Sequence, residues 1–63
     1  MKKVTISTAV RAIRAGDIVW NHASPRYAEG IEIDGHWRLS NRALRRQLLR
    51  FLRLTNSKGL YIR

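Results

Sequence analysis

No cysteine occurs in this chain, so disulfide staples, a thiolate nucleophile and a cysteine-based zinc site are all closed to it. The lack matters because 63 residues make at most one small domain, burying only about 60% of the surface that the unfolded chain exposes. A core of that size supplies roughly 3–5 kcal/mol. Without disulfides the remainder must come from packing, assembly or a partner. The absence of cysteine also fits a reducing cytoplasm.

Long apolar runs are missing too. No stretch approaches the ~20 consecutive apolar residues of a membrane span. The opening MKKVTISTAV has two lysines, as a secretory leader would. Thr5, Ser7, Thr8 and then Arg11 interrupt the apolar segment before an h-region forms. The expectation is a soluble cytoplasmic protein with no membrane partner.

Acidic residues are scarce. Four Asp and Glu face thirteen Lys and Arg, for a net charge of +9 and an isoelectric point near 11.7. Ten of those thirteen are arginine. Lysine would keep the chain soluble equally well, whereas the planar arginine fork suits phosphates and base edges. A domain isoelectric point above about 9 is the electrostatic footprint of a nucleic-acid binder. Nucleic acid is therefore the expected partner, DNA ahead of RNA, with an acidic protein surface as the alternative.

Catalytic constellations are lacking as well. There is no G-x-S-x-G, and NSKGLY has neither the first glycine nor the Lys-Ser/Thr pair of a phosphate loop. His22 and His36, with the scattered Asp17, Glu32 and Asp34, make a poor zinc set. Glu32 and Asp34 are explained more simply by a charge pair with Arg38 and by turn geometry. No enzyme activity, metal or cofactor is expected.

What is present divides the chain into short elements. KKVTI alternates as a strand, with Val4 and Ile6 on one face. STAVRAIRAGD predicts a short helix near 8–15, capped by Ser7 or Thr8 and stopped by Gly16. DIVWNHA reads as a mostly buried strand, and SPRYAEG as a loop marked by Pro25 and Gly30. GIEIDGHWRLS predicts a hairpin at about 30–40. A three-residue loop, Asp34-Gly35-His36, puts Ile31, Ile33, Trp37 and Leu39 on one face and sets Glu32 across from Arg38. Ser40 or Asn41 caps a long helix at about 41–55, Asn56 to Gly59 end it, and GLYIR reads as a last strand. The expected architecture is α+β, a small mainly antiparallel sheet packed against one long basic amphipathic helix.

That helix, NRALRRQLLRFLRLT, carries five arginines, six leucine or phenylalanine side chains and no acid. At 100° per residue, Leu48, Phe51 and Leu52 fall within about 80° of Leu44 on one face, with Leu54 extending it on the other side. This stripe is expected to pack on Ile31, Ile33, Trp37 and Leu39. Arg42, Arg46, Arg50 and Arg53 gather opposite, also within about 80°. Arg45 falls at the edge, where its stem could lie over the core beside Leu49 and Leu52.

A structural helix face usually interleaves acids with bases, since each i,i+4 ion pair contributes ~0.2–0.5 kcal/mol. Here like charges are neighbours and repel. Arg50 and Arg53 suit a helix C-terminus, but Arg42 and Arg46 oppose the dipole. A polyanion would relieve that repulsion. The stripe runs about 16 Å and fits the dimensions of a B-DNA major groove, ~12 Å wide, or a structured RNA.

Arg38, Arg11, Arg14 and Lys58 join the stripe as candidate contacts, with Lys2, Lys3 and Arg63 as further extensions of the basic surface. Trp20, Tyr27, Trp37, Phe51 and Tyr61 are the aromatic side chains available for stacking on single strands. Phase assigns Trp37 and Phe51 to the core, and Tyr27 beside Arg26 is the best contact outside the helix. A hairpin beside a basic helix resembles the general layout of winged-helix and excisionase-like DNA binders, although the two-helix helix-turn-helix is not evident. Together these features predict a small DNA-binding protein of the regulatory or recombination-accessory kind. The small core makes a homodimer or cooperative assembly on DNA a further expectation. The alternative is a protein-interaction module, an inhibitor or adaptor whose basic helix docks on an acidic groove.

Overall fold

A computed structural model of the chain describes residues 1–24 and 27–63. Its elements run β1 (Lys2–Val4), α1 (Ile6–Arg14), β2 (Val19–Ser24), β3 (Tyr27–Ile31), a 3-10 turn (His36–Arg38), α2 (Asn41–Leu54) and β4 (Leu60–Ile62). The expected α+β class is what forms: one four-stranded antiparallel sheet, a short helix and a long basic one.

Thr5 separates β1 from α1. Its backbone is extended and its hydroxyl accepts from the Thr8 N–H at 3.3 Å. The cap is therefore Thr5 rather than Ser7 or Thr8, and Ile6 enters the helix instead of continuing the strand. At the other end, Gly16 takes φ +85°. The Gly16 and Asp17 N–H groups donate to the Ile13 and Ala12 carbonyls, a Schellman closure in which a positive φ favours glycine. Ser40 caps α2 as expected, accepting from the Ala43 N–H at 3.2 Å. The same closure ends α2, with Asn56 at φ 50° in the glycine position and Ser57 N–H donating to Leu52 O.

The sheet order is β1-β4-β2-β3. The last strand is inserted between the first two, pairing Val4 with Leu60 on one side and Asn21 with Leu60 on the other. Alternation then sorts the strands into two faces. Val4, Leu60, Ile62, Val19, Asn21 and Ile31 share one face by register. Ala9, Val10, Ala12 and Ile13 of α1 and Leu44 and Leu48 of α2 join that face in a single buried cluster. Both helices thus cover the same side of the sheet. Burying a leucine side chain contributes about 1.5–3 kcal/mol, and Leu44 and Leu48 are fully buried.

Asn21 is the buried polar member of this face, 3% exposed. Its Nδ2 donates to Thr55 Oγ1 at 2.9 Å, and the Thr55 hydroxyl donates to the Phe51 carbonyl at 2.6 Å. This relay joins the central strand β2 to the end of α2. It also satisfies a group whose burial without a partner would be costly.

The hairpin expected at 30–40 does not form. Ile31 pairs with Val19, so the hairpin of this sheet is β2–β3, and residues 36–38 coil into the 3-10 turn. Gly35, at φ 64°, leads into that turn. The Arg14 guanidinium braces this turn from outside the segment: Nη1 donates to His36 O at 3.1 Å and Nη2 donates to Leu39 O. His36 O also accepts from the Leu39 N–H at 3.0 Å within the turn.

Four expectations change with it. SPRYAEG is not a loop throughout, since Ser24 and Tyr27–Gly30 are strand, while Pro25 and Arg26 lie outside the described residues. Glu32 and Arg38 are not cross-strand partners. Trp37, assigned to the core by phase, is 66% exposed. The layout shared with winged-helix proteins rested on a hairpin directly before the basic helix, and that hairpin is absent.

Candidate nucleic-acid interface

The arginine stripe is presented by a helix with little freedom to turn. Leucine, arginine, glutamine and alanine all favour helix, and no glycine or proline interrupts the segment. With Leu44 and Leu48 in the core, rotation of α2 about its axis would expose buried apolar surface. Arg42, Arg46, Arg50 and Arg53 consequently all face solvent. Arg45 and Leu49 are exposed beside them and, with Asn41, Arg42 and Arg46, line a shallow groove on the outer side of α2. Phe51 and Leu52 are half-buried against the core as expected. Leu54 is not, being 77% exposed, because the helix ends as the chain turns back toward β4.

The other candidates divide. Arg14 is committed within the molecule: besides the His36 and Leu39 carbonyls, its Nε donates to Asn41 Oδ1 at 3.1 Å. It clasps α1 to the 3-10 turn and to the start of α2, so its guanidinium is structural first. Arg38 is exposed and lies over the Trp37 ring, 4.4 Å from the centroid. By chain position and the Arg14 contacts, Arg38 stands near the N-terminal end of α2 with Arg42. Arg11 is exposed one turn before Arg14 on α1, with a long 3.4 Å contact to Thr8 Oγ1. Lys58 is exposed beyond the opposite end of α2. The fold thus gathers Arg14, Arg38 and Arg42 at one end of the stripe and leaves Lys58 at the other.

The acids are kept elsewhere. Asp17, Glu32 and Asp34 line one hollow with Ile18 and Trp37, and Glu29 and Glu32 line a neighbouring one with Asn21 and Thr55. None belongs to α2. The segregation leaves the stripe with a single sign of charge, which focuses attraction for an anion.

Among the described residues no group of three or more His, Asp or Glu converges as a metal site would, and no helix is long and apolar enough to cross a membrane. Tyr27 opens β3, but its side chain, like Arg26, lies outside the described residues. The opposite side of the sheet holds residues that the sequence scatters: Lys3, Tyr61 and Trp20 fall in one cross-strand row. Their signal was aromatic content in alternating segments, but nothing local told that the row would form.

Comparison with known protein families, with curated proteins and with solved structures gives no match to this chain.

Proposed function

We propose that this chain is a small non-enzymatic nucleic-acid-binding protein, favouring DNA and of the regulatory or recombination-accessory type. The observation that carries the reading is the anchoring of α2. Its apolar side is fixed in the core while four arginines of one sign of charge stand on its solvent side. Phosphate contacts from Arg42, Arg46, Arg50 and Arg53 would supply affinity, and an arginine aimed at a guanine edge would supply any sequence preference. Arg38, Arg11 and Lys58 extend the footprint, and Arg14 contributes charge while holding the helix start. The action is binding without chemistry, in the cytoplasm, with homodimerisation or cooperative assembly along the nucleic acid compensating for a small core.

A second reading is favoured by one feature. Leu49, 52% exposed, sits among the arginines, and Leu54 is more exposed still. A basic helix with apolar anchors is also what docks into an acidic protein groove. Fluorescence anisotropy with labelled duplex DNA and hairpin RNA separates the two, comparing the parent with Arg46→Ala/Arg50→Ala at several salt concentrations. A linear fall of log K with log salt, reduced in the double variant, supports nucleic acid. Absence of binding to either ligand at low salt refutes it and turns attention to an acidic protein.

A further inference from the structure

The sheet has a second face that no helix covers among the described residues, and its composition is specific. One cross-strand row runs Lys3 (β1), Tyr61 (β4), Trp20 (β2), Gly30 (β3). Directly opposed side chains on such a row stand about 4.5–5.5 Å apart. Gly30 explains how the indole lies. A Cβ built there would come within 3.7 and 3.8 Å of two atoms of the six-membered ring of Trp20 and 3.2 Å from Ile18. Trp20 therefore leans across β3 over the space that glycine vacates. His22 meets Tyr61 edge-on, with centroids 4.5 Å apart and an interplanar angle of 76°. Trp20, Tyr61 and His22 are half-exposed, so these rings are neither core nor free.

Charge on this face has the sign a phosphate chain needs. The Arg63 guanidinium stands 5.2 Å from the Trp20 ring centroid, and Lys3 reaches over Gly59 beside Tyr61. A shallow hollow at the sheet end beside Trp20 is lined by Gly16, Asp17, Ile18, Ile62 and Arg63. Asp17 is the acid at its rim. The acid of β3, Glu29, pairs with Asn21 and so belongs to the helix-covered face.

We propose that this open sheet face is a binding platform for single-stranded nucleic acid, with bases stacking on Trp20 and Tyr61 and phosphates held by Lys3 and Arg63. Unpaired bases expose π-faces that a duplex hides, and aromatic stacking is tolerant of sequence. The charged groups flank the rings instead of interrupting them. A purely apolar partner would leave Arg63 and Lys3 unmatched, whereas a polyanion with flat rings matches both features. This surface is distinct from α2 and does not depend on the duplex reading.

The test uses Trp37→Phe as parent, which leaves Trp20 as the single tryptophan reporter. Adding a ten-nucleotide oligothymidine should change Trp20 emission at saturation. In anisotropy with the labelled oligonucleotide, Trp20→Leu (made in the otherwise wild-type chain) and Tyr61→Leu should each weaken binding roughly 5- to 150-fold, the range set by loss of one stacked base. Leucine keeps apolar bulk at each site, and circular dichroism verifies the fold. Duplex affinity should change less than about twofold in these two variants, since their side chains carry no charge toward phosphate. Unchanged Trp20 emission at saturating oligothymidine, or parental affinity in a folded Tyr61→Leu, overturns the proposal. So does a concentration-dependent Trp20 emission with dimer mass in sedimentation, which would assign this face to a second copy of the chain. Failure of duplex binding alongside intact oligothymidine binding would sink the α2 reading and leave this one standing.

Discussion

The salt dependence of duplex binding gives the sharpest test of the arginine stripe. Each phosphate neutralised on B-DNA contributes about −0.9 to the slope of log K against log salt. Four stripe arginines, all exposed on one side of α2, set a slope of about −3.6, so affinity should fall ~150-fold between 50 and 200 mM salt. Replacing Arg46 and Arg50 by alanine removes two contacts. The slope should shrink to about −1.8 and the same salt step should cost ~12-fold. Arg38, Arg11 and Lys58 steepen both slopes if they also meet phosphate, but the difference between variants stays near 1.8. The assay is anisotropy of a labelled duplex of about 20 base pairs, long enough for the ~16 Å stripe to lie in one groove. The control is Lys3→Ala/Arg63→Ala, which removes equal charge from the opposite face of the sheet. Equal slope changes in the two double variants would refute the reasoning, because binding would then follow net charge and not the stripe.

Other expectations concern the scaffold. Leu48→Ala should cost about 2–5 kcal/mol by opening a cavity under α2, enough to unfold most of so small a domain, as thermal circular dichroism would show. Thr55→Val should destabilise by about 1–3 kcal/mol, since it strands the buried Asn21 amide; a parental denaturation midpoint would refute the relay. Arg14→Ala should cost about 1–2 kcal/mol through loss of its hydrogen bonds to the turn and α2. Arg42→Ala should stay within about 0.5 kcal/mol in the same chemical denaturation, so comparable losses would erase the distinction drawn between clasp and stripe.

Several features were legible in the residues because their causes are local. Ser40 caps α2 through its own hydroxyl, and Gly16 ends α1 because it can take a positive φ. The stripe of Arg42, Arg46, Arg50 and Arg53 follows from helical period alone, as does the burial of Leu44 and Leu48. Even so, local signals misled at two places. Asp34-Gly35, read as a hairpin turn, leads into the 3-10 turn, and Thr5 takes the first cap in place of Ser7 or Thr8.

The sequence by itself therefore determined the class, the long basic helix and the side of it that meets solvent, since charge, period and capping act within a few residues. Only the tertiary structure decided where GLYIR goes: Leu60 pairs with both Val4 and Asn21, residues 56 and 39 positions away. That insertion brings Tyr61 beside Trp20 and leaves the second face of the sheet open. Arg14, which reads in the sequence as one more surface cation, braces a turn more than twenty residues later by donating to its carbonyls. Pairing partners and buried hydrogen bonds are chosen by what lies nearby in space, and no window along the chain contains that information.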